Sequence, residues 1–102
     1  MAEAASKNLV PCILELGGKC PLVLSENTDL DTACAKTVFG KFTNSGQTCI
    51  APDYVLCHES KLDGYLSTLK EYLKPFDSKG SENQGKLIND FHFNRIKSMI
   101  EA

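Results

Sequence analysis

Apolar and polar positions along the chain change period several times, and each change marks a boundary. Ala2 to Asn8 carries no apolar stripe and reads as the end of a helix, which Pro11 cannot continue. The uninterrupted apolar run Cys12-Ile13-Leu14 follows, so Val10 to Leu16 is expected to be a buried strand. Gly17-Gly18 makes a turn, and Pro21 to Ser25 is a second short strand broken by Glu26-Asn27-Thr28. From about Asp29 to about Phe42, residues Leu30, Ala33, Cys34, Val38 and Phe42 keep helical spacing. Thr28 with Asp31 resembles a capping box at its start, and Asn44-Ser45-Gly46 ends it. Asp53 to His58 is a third strand. Ser60 is placed to cap an amphipathic helix in which Leu62, Tyr65, Leu66, Leu69, Tyr72, Leu73 and Phe76 share one stripe, stopped with the help of Pro75. Asp77 to Gln84 is a polar loop, and a last helix runs from about Asp90 to the end.

Strands alternating with helices imply an α/β fold, with mostly parallel strands and flanking helices. Strands this apolar need cover on both faces, and these elements supply little of it. The chain has 102 residues, enough for one small domain or a piece of a larger one. With 42% hydrophobic and 24% charged residues it has globular rather than disordered composition. A net charge of −2 gives nucleic acid and anionic lipid no strong attraction, so no nucleic-acid partner is expected. The apolar runs are a few residues long, where a membrane helix needs about 20, so no membrane segment is expected; the N-terminus has no apolar signal region. Five cysteines, an odd number without Cys-x-x-Cys spacing, argue against a disulfide framework and against a zinc site; no metal is expected. They suggest a reducing, intracellular setting in which most thiols are small buried hydrophobes.

Two segments carry chemistry. In Leu14-Glu15-Leu16-Gly17-Gly18-Lys19 a carboxylate stands at the end of an apolar run, directly before two glycines. Strand ends in α/β proteins bind ligands, apolar surroundings suit a carboxylate to general-base work, and glycines let backbone approach a ligand. The plainer reading is an exposed Glu before a turn. In Phe42-Thr43-Asn44-Ser45-Gly46-Gln47-Thr48-Cys49-Ile50-Ala51 a cysteine follows a helix terminus and a flexible glycine. A thiol on such a loop can act as a nucleophile, with backbone N–H groups as oxyanion donors. Its plainer reading is a packed structural Cys, as assumed for the other four.

Together, Leu-Glu-Leu-Gly-Gly-Lys and Gly-Gln-Thr-Cys, with Glu15 and Cys49 separated by 34 positions (49 − 15), resemble the double signature of the aldehyde dehydrogenase superfamily. Ala51-Pro52-Asp53-Tyr54-Val55-Leu56, Leu87-Ile88-Asn89 and His92-Phe93-Asn94-Arg95 look like its class 3 and fatty-aldehyde branch, and Ala4 to Leu9 resembles the helix end before the Glu motif. Cys20 departs from the pattern, standing where Ser, Ala or Asn is more usual and adding a second thiol near the site. The resemblance implies a fragment of the aldehyde dehydrogenase fold, a partial three-layer catalytic domain: residues 1–9 end a helix of the preceding cofactor-domain region, and 10–102 belong to the catalytic domain. It implies Cys49 as nucleophile and half of the oxyanion hole, Glu15 as the base that activates water, and Leu16 and Gly17 beside the nicotinamide of NAD or NADP. It also implies an aldehyde substrate, a homodimer or higher homo-oligomer, and a cytoplasmic location, with membrane association through a C-terminal tail as a variant.

The same resemblance places most of the cofactor site, the second oxyanion donor and the oligomerisation strand outside these residues. The 102-residue chain is therefore expected to be marginally stable and inactive by itself. Two other readings compete: a truncated, non-enzymatic protein that binds full-length subunits and interferes with them, and a small thiol-reactive protein that uses Cys49 alone. Gly80 to Lys86 imitates most of a phosphate-binding loop, but Leu87 replaces the required Ser or Thr. His58 and His92 lack metal-ligand spacing and read as surface or helix-face residues.

Overall fold

The computed structural model describes residues 1–76 and 84–102. The expected loop from Asp77 therefore lies outside the described residues up to position 83, as does the start of the phosphate-loop imitation.

A short helix, α1 (Ala2–Lys7), ends at Asn8, and the chain turns at Leu9 with a φ of 54°. Residues 10–19 then run without regular structure. This corrects the expected strand at Val10 to Leu16. An apolar strand needs a ladder partner and two covering faces, and among the described residues nothing pairs with this run. Its side chains stand in solvent, with Ile13 91% and Leu16 87% exposed.

Among the described residues two strands form, β1 (Cys20–Leu24) and β2 (Pro52–Cys57), paired in parallel. Parallel neighbours need a crossover, supplied by α2 (Leu30–Phe42). The N-cap of α2 is Asp29, not Thr28. The Asp29 carboxylate accepts from the Thr32 N–H at 2.8 Å, while the Thr28 hydroxyl lies 3.3 Å from that of Ser25. After β2 comes a three-ten turn at Glu59–Lys61 and then α3 (Leu62–Leu73). Ser60 sits inside that turn rather than capping α3. Its N–H donates to His58 Nδ1 at 3.3 Å, and Lys61 takes the cap position of α3 without a side-chain bond.

The core sits where α2 and α3 cover the strand pair. Leu24, Ala33, Cys34 and Tyr65 are buried, with Leu22, Leu30, Cys57, Leu69 and Tyr72 packed around them. Tyr65 brings a polar tip into this cluster and satisfies it by donating to the Thr37 hydroxyl at 3.2 Å. The last helix, α4 (Asp90–Ile100), is capped by Asn89, whose side chain accepts from the His92 N–H at 3.0 Å. The chain as a whole is open. Its accessible surface is 8409 Å², where a compact monomer of this mass exposes about 5,700 Å². Its radius of gyration is 17.9 Å, against about 13 Å for a compact domain of this length.

Candidate active site

Both chemistry-bearing segments lead into the same end of the strand pair. The first residues of β1 and β2, Cys20 and Pro52, are register partners. The Glu15 segment enters through Cys20, and the Cys49 segment enters through Pro52. The site thus lies at the entering ends of the strands, not at a carboxyl end as the expected strand before Glu15 implied. The register slips after Cys20, so that Pro21 faces Tyr54 and Asp53 is left over. The freed Asp53 carboxylate meets Lys19 Nζ at 3.5 Å.

The Cys49 loop is built by local chemistry. Past α2, the residues Asn44, Ser45 and Gly46 have φ values of 52°, 55° and 72°. Three successive left-handed residues reverse the chain, and Asn, Ser and Gly are types that tolerate or favour this or bond their own backbone there. Asn44 Nδ2 donates to the Gln47 carbonyl at 3.2 Å, and Gln47 Nε2 donates to the Asn44 carbonyl at 2.9 Å. A tight turn follows, closed by the Ala51 N–H donating to the Thr48 carbonyl at 3.0 Å. Cys49 rides exposed on this turn, and Ala51 anchors it by being buried.

Gln47 also fixes a distant segment. Its Nε2 donates to the Lys86 carbonyl at 3.1 Å, and its Oε1 accepts from the Ile88 N–H at 3.1 Å. The Ser45 hydroxyl donates to the Gly85 carbonyl. The residue types of the motif gave no hint of this role, because hydrogen bonds across some forty positions leave no periodic trace in a sequence.

Gly18 joins the two segments. A Cβ at this position would lie 2.2 Å from the Cys49 carbonyl oxygen. A glycine is required here for close approach rather than for a turn. Cys20 Sγ donates to the same oxygen at 3.3 Å. Cys49, Gly18 and Cys20 are thus brought together. Glu15 lies three residues before Gly18, exposed, with no hydrogen bond to Cys49 among the described residues. The apolar surroundings expected for a general base are not supplied by the described residues. Leu16 and Gly17 are exposed on the same stretch.

The remaining thiols divide by environment. Cys34 is fully buried, and burial, with the nearby Asp31 charge adding, pushes its thiol up from the ordinary range, which keeps it protonated and unreactive. Cys57 is half-buried. Cys12 departs from the packed thiol expected, because it lies on the open stretch and is exposed.

The aldehyde dehydrogenase family model matches residues 1–102. This chain belongs to the aldehyde dehydrogenase family. A relative from Rattus norvegicus, "Aldehyde dehydrogenase, dimeric NADP-preferring", is 50% identical over 101 residues, covering 96% of this chain and 22% of that protein. A second from the same organism, "Aldehyde dehydrogenase family 3 member A2", is 47% identical over 103 residues, covering 98% of this chain and 21% of that protein. Among solved structures, the substrate-bound state of Staphylococcus aureus AldH superposes with a TM-score of 0.79 at 41% identity, covering 98% of this chain and 22% of that one. The chain thus spans about a fifth of the length of the family members it matches. The likeness accounts for the α/β arrangement of parallel strands and helices found here.

Proposed function

We propose that these residues form part of an NAD(P)+-dependent dehydrogenase that oxidises aldehydes to carboxylic acids, with Cys49 as nucleophile and Glu15 as general base. The observation that carries this reading is the contact of Gly18 and Cys20 with the Cys49 carbonyl, which sets the Glu15 stretch beside the cysteine turn. The Cys49 thiolate attacks the aldehyde carbon, and the Cys49 N–H helps hold the oxyanion that forms. Leu16 and Gly17 fit a flat ring: Leu16 is 87% exposed, and a Cβ built at Gly17 meets nothing within 4 Å. NAD(P)+ bound there supplies the hydride acceptor. Glu15 then takes a proton from the water that hydrolyses the Cys49 thioester.

Medium or long aliphatic, or aromatic, aldehydes are the proposed substrates, on branch resemblance. The name of the first rat relative supports NADP use and a homodimer. Residues 1–9 are assigned to the end of a cofactor-domain helix and 10–102 to the catalytic domain. A cytoplasmic location is proposed, with attachment through a C-terminal tail as the alternative.

The test is NAD(P)H formation by the full-length protein with hexanal and benzaldehyde. Cys49→Ala should lower turnover by about 10⁴-fold or more. Glu15→Gln should keep the first-turnover burst and slow the steady state. Unchanged turnover in Cys49→Ala sinks the reading. A second reading, a chain that binds full-length subunits, is favoured by the uncovered Leu9, Ile13 and Leu16 side chains. Co-purification of the 102-residue polypeptide with a full-length homologue tests it.

A further inference from the structure

We propose that Cys20 is a resolving thiol for Cys49, so that a hydroperoxide converts the pair reversibly into a Cys20–Cys49 disulfide instead of destroying the nucleophile. The regulatory consequence rests on the function proposed above; the thiol pairing itself does not.

The geometry starts from the 3.3 Å contact between Cys20 Sγ and the Cys49 carbonyl oxygen. A carbonyl oxygen lies about 2.4 Å from its own Cα, which puts Cys20 Sγ within about 6 Å of the Cys49 Cα. Closing a disulfide from there needs a shift of about 2 Å to reach normal bond geometry. The turn can make it: Cys49 is exposed and Ile50 is 76% exposed, so little packing opposes the movement. Gly18 has no side chain to crowd the closure, whereas a Cβ there would lie 3.3 Å from Cys20 Sγ. The other thiols are worse placed. Cys34 is fully buried, Cys57 pairs with Leu24 at the far end of the strands, and Cys12 lies on the open stretch.

The chemistry takes two displacements. The Cys49 thiolate attacks the peroxide O–O bond, forms a sulfenic acid and expels an alkoxide or hydroxide. The Cys20 thiolate attacks that sulfur and expels hydroxide, leaving the disulfide. Overall, two thiols are oxidised by two electrons, and the hydroperoxide is reduced to an alcohol and water. A dithiol reverses the bond by exchange.

The experiment treats the full-length protein with hydrogen peroxide and maps the bonds without reduction. Trypsin leaves Cys20 and Cys34 on one peptide and Cys49 and Cys57 on another, so fragment ions must place the bond. Cys20→Ser keeps an O–H for the Cys49 carbonyl and removes the sulfur. The expected result is a Cys20–Cys49 bond. After peroxide and then dithiothreitol, several-fold more Cys49 should be recovered for iodoacetamide labelling in the parent than in Cys20→Ser, where Cys49 advances to sulfinic acid. No such bond, with equal recovery in both proteins, overturns the proposal. Neither readout needs turnover. A protein that forms the bond yet keeps dehydrogenase activity as Cys49→Ala therefore refutes the proposed function and supports the thiol pair.

Discussion

The Cys49 stretch and the Glu15 stretch enter neighbouring parallel strands side by side, but they are held in different ways. The Cys49 stretch is polar and bonds to itself through Asn44, Gln47 and the Thr48–Ala51 turn, and to residues 85–88 through Ser45 and Gln47. The Glu15 stretch is apolar and without regular structure; among the described residues it is tied at Val10, whose N–H donates to the Ala5 carbonyl, and where Gly18, Lys19 and Cys20 meet the residues around Cys49. A polar loop can satisfy its hydrogen bonds locally. An apolar strand cannot, because its ladder partners and covering faces are distant in sequence. The position of Cys49 is therefore encoded nearby, while that of Glu15 depends on whatever covers residues 10–17.

The broadest test is the 102-residue polypeptide alone. It should form no measurable NAD(P)H from aldehydes, and the amides of residues 12–16 should exchange at coil-like rates while those of α2 are protected. Protection of residues 12–16 in this polypeptide would mean that the Glu15 stretch holds itself.

Gly18→Ala in the full-length protein attacks the tightest approach between the stretches among the described residues. Its methyl would press on the Cys49 carbonyl at 2.2 Å, so backbone has to move. Turnover should fall about 10²-fold through misplacement of Cys49, and stability by about 1–3 kcal/mol through overpacking. Gly17→Ala, which meets nothing, is the control for stability. Equal denaturation midpoints for the two variants would show that this contact does not hold the stretches together.

Gln47→Ala should cost less. It deletes side-chain bonds to the Asn44 and Lys86 carbonyls and to the Ile88 N–H, in an exposed setting where each is worth about 1 kcal/mol or less. The loss should register as faster exchange at residues 85–88 and around Cys49, with residues 10–17 unchanged. Equal loosening on both stretches would mean that Gln47 supports the site as a whole.

The contrast also explains what could be read from the sequence. The strand at Cys20–Leu24 and the helices at Leu30–Phe42, Leu62–Leu73 and Asp90–Ile100 were legible because their periodicity is local. The caps slipped by a residue or more because Thr28 and Asp29 are both good cap residues, as is Ser60, and the choice falls to whichever side chain reaches the free N–H. The Val10 to Leu16 run has the composition of a buried strand and nothing to be buried against here, a condition invisible in the run itself. The pairing of Glu15 with Cys49 is implied by family resemblance alone; what the structure brings to the Cys49 carbonyl is Gly18 and Cys20, a close approach that no periodicity encodes.

The smallest expected effect concerns pH, and it should reach one stretch only. Asp29 caps α2, the helix that delivers the Cys49 loop at its other end. Hydrogen bonds from the Thr32 side chain, then from its backbone N–H, hold the Asp29 carboxyl below the usual aspartate range. A group whose folded value is lowered adds stability above its unfolded value, about 4, and that contribution is lost as pH falls through the folded value. Acid should therefore loosen α2 and the Cys49 loop slightly, while the Glu15 stretch, which shares no hydrogen bond with this cap among the described residues, stays as it was. Asn at position 29 accepts the same bond at every pH, so Asp29→Asn should flatten this part of the profile. Denaturation midpoints at about pH 6 and about pH 3, compared between the parent and Asp29→Asn, isolate the term. An identical acid loss in both proteins would show that other carboxylates set it and that the cap does not transmit pH to the Cys49 loop.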